Sequence, residues 1–351
     1  MRMLIQKFIV VLLASLLVAT SVLACSRALW NTKGHAVTVG RNMDWINNMP
    51  VDFFVIPQGI ERDGLVGKNS VKWKSKYGQL ALVREGAGVL DGVNEKGLAG
   101  HMLWLGASDY GTRDLTRPAI SLGMWLQYCL DNFATVAEVA DAFEKDPFQI
   151  VTTIFDNLKA STHLAFEDAT GDSVVIEYQS GKPKVYHDRK HTVMTNDPVF
   201  SKQLEKLANY KGFGGNDPLP GSNAAADRFV RAAYFIQGLP KALNDREAVA
   251  YVFSVMRNVS QPFGEVDVKA MASGNPHNSP TRWRTIIDLT NGNFYYESTL
   301  SPNVIWVKYK ELDFSLASGI RKLDLQGEPL IGDSTKGFKP AKGFSVLTPG
   351  S

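Results

Sequence analysis

Cys25 is one of only two cysteines in the chain, and it follows the small-residue stretch that closes with Val22-Leu23-Ala24. Upstream, Arg2 and Lys7 precede an apolar run from Phe8 to Val18. A basic start, a short apolar segment and a small-residue boundary are the layout of a secretion signal. Val22 and Ala24 suit a signal peptidase that cuts before Cys25. A chain beginning there would carry a thiol nucleophile and a free α-amine on one residue. The amine titrates near ~7.7–8.0, so much of it is available as a base around neutral pH. A thiol with an adjacent base is the general recipe for nucleophilic catalysis. Two other readings stay open: Cys25 lipidated as an anchor, against which the bulky Leu23 speaks, and an ordinary cut that leaves Cys25 without a role. The apolar run is short of the ~20 residues that a membrane-spanning helix needs.

Other side chains fit the same chemistry. Arg41 and Asp44 follow shortly after the first strands, where a carboxylate could hold an α-amine and a guanidinium could lower a thiol pKa. The alternative is an exposed Arg/Asp turn. Asn196, in Thr195-Asn196-Asp197-Pro198, sits where a strand ends and a helix opens. It can donate an amide N–H to a developing oxyanion or simply cap the helix. Arg228 and Arg231 share a helix face, either toward the site or toward solvent. The six histidines form no His-Glu-x-x-His pattern, no Gly-x-Ser-x-Gly elbow is present, and Gly64–Ser70 has the wrong glycine spacing for a phosphate loop.

These residues need elements to position them. Ser26–Trp30 and Ala36–Arg41 are predicted as strands joined by a turn at Asn31-Thr32-Lys33-Gly34, followed by strands over Phe53–Pro57 and Leu80–Arg84. Asp91–Leu98 is predicted as a tight turn leading into a strand through Trp104. Helices are predicted over Ile120–Asn132 and Ala134–Glu144 from three-to-four apolar spacing. A strand meander follows over Ser161–Glu167, Ser173–Glu177, Lys184–His187 and Thr192–Thr195. Helices come next over Pro198–Tyr210, Ala224–Gln237 and Asp245–Val255, then strands over Thr285–Asp288, Phe294–Ser298 and Val304–Tyr309. The Gly- and Lys-rich tail after Leu323 reads as less regular. Runs of strands alternating with runs of helices point to layered α+β rather than a doubly wound parallel sheet.

Removing residues 1–24 leaves 327 residues with 36 basic and 35 acidic side chains, a balance that argues against a nucleic-acid partner. Two cysteines do not make a disulfide framework; Cys129, in an apolar helical stretch, reads as a buried core thiol.

Taken in order, Cys25, Gly40-Arg41-Asn42-Met43-Asp44-Trp45, Asn94-Glu95-Lys96-Gly97-Leu98, Thr195-Asn196-Asp197-Pro198 and Asp227-Arg228-Phe229-Val230 resemble the choloylglycine hydrolase family. These are penicillin V acylases and bile salt hydrolases, amidases with an N-terminal nucleophile. The resemblance spans essentially the whole chain after Ala24 and implies an α+β, four-layer αββα sandwich of two antiparallel sheets, with residues 25–351 as one catalytic domain. It implies Cys25 as nucleophile, Arg41 and Asp44 beside it, Asn196 and the backbone N–H at Trp104 as oxyanion donors, and Arg228 as an orienting residue. Trp104 stands where bile salt hydrolases commonly have Asn and some Gram-positive penicillin V acylases have Tyr. With Trp45 and the signal segment, this is similar to the exported Gram-negative penicillin V acylase branch, which is also associated with acyl-homoserine lactones. Trp45 and Trp104 are thus expected to line the substrate pocket. The expected substrate is a small N-acyl amide, cleaved through a thioester with no metal or organic cofactor. Periplasmic location without a stable membrane anchor is expected, and by family analogy a homotetramer. The alternatives are a bile salt hydrolase and a non-catalytic lipoprotein lipidated at Cys25.

Overall fold

The computed structural model describes residues 25–32, 36–210, 218–264 and 279–349. The expected signal segment, part of the first predicted turn and much of the loop after Tyr210 lie outside these residues.

Two sheets form the centre. The seven-stranded sheet runs in the order Val193–Met194, Ser26–Trp30, Thr38–Asp44, Thr281–Asp288, Asn293–Ser298, Val304–Lys308 and Gly332–Asp333, antiparallel except for its last pair. The nine-stranded sheet is antiparallel throughout, with Ala99–Trp104 and Gly88–Asn94 near its middle, between Thr162–Glu167 and Gln79–Arg84. Thr38–Asp44 and Gly88–Asn94 are buried at every residue. A strand covered by a second sheet on one face and by helices on the other has no wet side, so it need not alternate apolar with polar. Val304–Lys308, farther out, does alternate.

The helices supply the outer layers. Ala225–Gln237 and Asp245–Asn258 pack on the strands Ser26–Trp30 and Thr38–Asp44. Gly40 makes the second contact possible: a Cβ there would stand 2.4 Å from Met256 Cγ. Leu122–Asn132 lies on Gly88–Asn94 and Ala99–Trp104, and Val136–Glu144 lies on Ser173–Gln179 and Lys182–His187. Ser121, Thr135 and Asn244 cap three of these helices, each accepting from a first-turn N–H. The result is the expected α+β sandwich of two sheets between helical layers.

Between the sheets, Phe53 packs edge-on against Phe294 and Tyr296. A buried polar chain crosses the same space. Arg27 pairs with Glu167, Glu167 with His101 Nε2, and His101 Nδ1 stands 2.5 Å from Asp91 Oδ1 as an ion pair. Asp91 Oδ2 accepts from Thr285 Oγ1 at 2.6 Å. Arg27 and Thr285 belong to one sheet and the other three to its partner, so the chain ties the layers together.

Several expectations are refined. Asp91–Asn94 is the end of a strand, and the turn is confined to Glu95-Lys96-Gly97, where Gly97 takes φ 86° and Asn94 Oδ1 accepts from the N–H groups of Lys96 and Leu98. The helix after Asp197-Pro198 covers only Phe200–Ala208. The tail is not free: Lys339–Pro340 pairs with Arg321–Leu323 at the edge of the larger sheet.

Candidate active site

The first hairpin places Cys25. Ser26 pairs with Asn42 and Arg27 with Arg41, so Cys25 sits beside the far end of Thr38–Asp44. Its Sγ is 3.8 Å from Met43 Sδ and 3.8 Å from the Asp44 carbonyl, and the residue is 2 % exposed.

Polar groups hold both sides of its backbone. The Cys25 N–H donates to Asn196 Oδ1, while Arg228 Nη1 donates to Cys25 O at 2.7 Å and to Ser26 Oγ. Arg228 Nη2 also reaches Asn196 Oδ1 at 3.2 Å, and its Nη1 lies 3.9 Å from Asp44 Oδ2. Asn196 completes its contacts by donating from Nδ2 to Trp104 O at 2.7 Å. Gln203 holds the Asn196 segment from behind: its Nε2 donates to the carbonyls of Asn196 and Pro198, and its Oε1 accepts from Thr195 Oγ1. Asp197 accepts from the N–H groups of Gly106 and Ala107, which fastens this segment to the chain just after Trp104.

Trp104 itself is oriented by the ladder. It pairs with Thr162, while the next residue, Leu105, donates its N–H to Ser161 O. Antiparallel pairs alternate between bonded and non-bonded positions. The Trp104 N–H and C=O therefore both turn away from the Thr162 strand, and the C=O meets Asn196.

Arg41 and Asp44 approach from the second strand. Arg41 is fully buried; its Nη2 donates to Met102 O at 2.8 Å and its guanidinium lies 4.5 Å from the Trp283 ring. Its Nε and Nη1, and the Trp104 Nε1, have no hydrogen-bond partner among the described residues. Asp44 Oδ1 accepts from Thr281 Oγ1 at 2.6 Å, and Oδ2 lies 3.4 Å from Gln261 Nε2. Burial pushes the Asp44 carboxyl up to about 6, against the pull of Arg228, Thr281 and Gln261. Burial also raises the Cys25 thiol. Arg41 and Arg228 do favour its thiolate, as the sequence suggests for Arg41, but desolvation outweighs both and Asp44 opposes them. Burial therefore works to keep the thiol protonated.

Cys25 opens into an apolar cavity of about 60 Å³, whose lining includes Met43, Trp45, Met102, Trp104 and Phe155. The Trp45 and Trp104 rings stand 5.4 Å apart at 59°. Phe155 comes from the hairpin Ile154–Phe155/Leu158–Lys159, whose turn residues Asp156 and Asn157 take φ 48° and 65°. Positive φ at both central positions is the signature of a type I′ hairpin. Asp156 accepts from Trp45 Nε1 at 2.8 Å, and Phe155 packs 5.7 Å from Trp45.

All seven residues singled out from the sequence (Cys25, Arg41, Asp44, Trp45, Trp104, Asn196 and Arg228) thus meet in one place. Arg231 does not join them: it donates to Pro220 O and Ser222 O at the surface loop. Met43, Phe155, Asp156, Gln203 and Thr281 were not anticipated. Asp156-Asn157, two turn-favouring residues between Ile154-Phe155 and Leu158, was the one readable signal among them. Cys129 is buried in its helix, and burial carries its thiol well above the usual range. Among the described residues no cluster of His, Cys, Asp and Glu could hold a metal ion.

Comparison with known proteins agrees with this geometry. Residues 25–326 match the family model described as linear amide C–N hydrolases, choloylglycine hydrolase family. The chain is 37% identical to a penicillin V acylase of Pectobacterium atrosepticum, covering 92% of each chain. It is 25% identical to a bile salt hydrolase/transferase of Clostridium perfringens over 92% of this chain and 98% of that one. The solved penicillin V acylase of Agrobacterium tumefaciens superposes with a TM-score of 0.84 at 42% identity, covering 93% of this chain and all of that one. A conjugated bile acid hydrolase structure from Clostridium perfringens, at 22% identity, shares the fold with a TM-score of 0.70. The chain belongs to the choloylglycine hydrolase family of linear amide C–N hydrolases and is an amide hydrolase similar to the penicillin V acylases.

Proposed function

We propose that export to the periplasm removes residues 1–24, and that Cys25 then serves as the N-terminal nucleophile for N-acyl amides with an aryl or alkyl acyl group. The observation that carries this reading is the convergence on one residue. Asn196 and Arg228 hold the backbone of Cys25 on both sides while its sulfur opens into an apolar pocket.

The steps follow from the site. A thiol kept protonated by burial needs a base, and the freed α-amine of Cys25 is attached to the same residue. The amine takes the thiol proton, directly or through a water, and the thiolate bonds to the substrate carbonyl carbon. The oxyanion is held by the backbone N–H of Trp104, which the ladder turns off the neighbouring strand, and by the Asn196 amide. An amide nitrogen carries two N–H groups, and the one given to Trp104 O leaves a second. The C–N bond then breaks, and the α-ammonium returns its proton to the leaving amine. Water hydrolyses the thioester, releases the acid and restores the thiol. Asn196 and Arg228, the latter with Asp44 3.9 Å from its guanidinium, keep the Cys25 backbone in register throughout. No step calls for a cofactor.

The pocket favours flat or flexible acyl groups over a steroid. The cavity is lined by apolar side chains and two indole rings, walls that suit a phenoxyacetyl ring or a flexible alkyl chain. A bile acid carries a rigid fused ring system with hydroxyls, and each hydroxyl buried without a partner costs about 1–3 kcal/mol. Penicillin V and acyl-homoserine lactones, long-chain ones included, are the proposed substrates, with conjugated bile salts poor ones. The buried position of the sulfur also speaks against a lipid anchor there. The test is kcat/KM for penicillin V, a long-chain acyl-homoserine lactone and glycocholate on protein beginning at Cys25. Glycocholate as the best substrate would replace this reading with a bile salt hydrolase, and intact mass of the exported protein reports any lipid on Cys25.

A further inference from the structure

The family match ends at residue 326, yet Leu347 lines the cavity into which Cys25 opens. The route of the chain to that point is well built. Ala341 N–H donates to Ile320 O at 2.9 Å, and Phe344 packs edge-on against Phe54 at 5.1 Å. Ser345 N–H donates to Glu85 Oε1 at 2.9 Å, its hydroxyl bonds the same oxygen, and Gly86 N–H donates to Ser345 O at 3.2 Å. Leu347 N–H donates to Ala87 O at 3.2 Å, and its carbonyl accepts from the Ser121 hydroxyl.

Two glycines make room for it. A Cβ at Gly123 would stand 2.7 Å from Ala87 O and 2.8 Å from the backbone nitrogen and oxygen of Leu347. Gly88 takes φ 109°, and a Cβ there would stand 2.6 Å from Gly123 O. The helix start at Leu122 and the strand at Gly88 thus come close enough for the tail backbone to lie against both. Leu347 is 7% exposed, and its neighbours Ala87, Leu90, Leu122 and Gly123 are all small or aliphatic members of the cavity wall. They come from elements other than those that carry Cys25, Trp45 and Trp104.

We propose that Leu347 is the residue that sets how long an acyl group the pocket accepts, with the tail clamped on Glu85, Ala87 and Ser121 as its support. This rests on the pocket being the acyl site, as argued above. Shortening the side chain should lengthen the cavity, and each further methylene buried is worth about fourfold in kcat/KM. Enlarging it should close the pocket and move the preference to shorter chains.

The experiment uses a ladder of N-acyl-homoserine lactones of rising chain length on the protein beginning at Cys25. Leu347→Ala, and separately deletion of residues 345–351, should move the best substrate to longer chains, while Leu347→Phe should move it to shorter ones. Binding of the matching free acids to Cys25→Ala protein, with and without each Leu347 change, reads the same ladder without turnover. Opposite shifts for the Ala and Phe variants support the proposal, even if the deletion does not fold. Turnover by the parent protein with an unmoved ladder in both Leu347 variants overturns it. An absence of turnover on every N-acyl-homoserine lactone, with the binding ladder still shifting, overturns the substrate reading instead and leaves Leu347 as the pocket limit. An absence of both turnover and acid binding overturns the two together.

Discussion

Asn196 bridges Cys25 and Trp104: its Oδ1 accepts the Cys25 N–H, and its Nδ2 donates to the Trp104 carbonyl at 2.7 Å. One side chain thereby links the strand that begins at Ser26 to the end of a strand in the opposite sheet. Truncation should damage the site in two ways, by freeing Cys25 and by removing the proposed oxyanion donor. Loss of one such donor costs about 10²–10³ in kcat. Asn196→Ala is expected to lose about that much with a smaller change in KM. A loss confined to KM would place Asn196 outside the reacting centre.

Maturation should act as a switch. A protein that retains one residue before Cys25 is expected to fold and to show no turnover, since its α-amine is no longer on Cys25. Cys25→Ser should retain little activity, because a hydroxyl is a far weaker nucleophile at neutral pH. Cys129→Ala should leave the rate nearly unchanged, its thiol being buried in the helix Leu122–Asn132. Full activity in the extended protein would remove the α-amine from the mechanism.

Asp44 predicts the acid side of the pH profile. Its carboxyl titrates at about 6 in the fold, raised from 3.8 chiefly by burial. The carboxylate that faces Arg228 is lost as pH falls through that value, so kcat/KM should drop with an apparent pKa near 6. Asp44→Asn should remove this limb as well as lower the plateau. The stability effect runs the other way. Between 3.8 and about 6 the folded state binds more protons than the unfolded one, so this group makes the fold less stable as pH rises through that window.

The buried chain Arg27–Glu167–His101–Asp91 predicts a stability profile with two edges. Burial opposes a charge on His101, but Asp91 and Glu167 outweigh it and raise its pKa to about 9. Its contribution is therefore complete below about 6.5 and is lost as pH rises through about 9. Burial likewise opposes a charge on Glu167, yet Arg27 and His101 prevail and lower its pKa. Its contribution is present above the ordinary glutamate range and is lost as pH falls below it. Glu167→Gln leaves the buried Arg27 without a carboxylate partner and His101 with Asp91 alone, at about 3–5 kcal/mol. Urea denaturation across pH measures both edges; a Glu167→Gln protein as stable as the parent would show that the chain contributes no net stability.

Trp104→Ala should reduce kcat/KM for penicillin V and for long-chain acyl-homoserine lactones more than for short acyl amides. The indole supplies part of the cavity wall, packed against Trp45 at 5.4 Å. Equal losses across all substrates would mean that Trp104 acts through the backbone it positions and not through its ring.

Much of the molecule was legible from local signals. Apolar runs, three-to-four spacing and turn residues placed the predicted helices and most of the predicted strands within a few residues, because each depends on neighbours in sequence, while short strands such as Glu61–Asp63 and Lys72–Lys74 gave no such signal. The amide-hydrolase class was legible only through the ordered resemblance to the choloylglycine hydrolase family, since Cys25, Arg41 and Asp44 leave other readings open by residue type alone. Three properties depended on the tertiary structure. The first is which arginine enters the site: Arg228 and Arg231 are equivalent by helical spacing, and only packing sends Arg228 inward to Cys25 O. The second is the state of the thiol. Arg41 beside Cys25 suggests a lowered pKa, but the degree of burial decides the sign, and burial is a sum over the whole fold. The third is the part the tail plays in lining the pocket. Leu347 lies in a glycine- and lysine-rich tail with no periodicity. It reaches the cavity only because Gly88 and Gly123, far apart in the chain, leave a space that a backbone can fill.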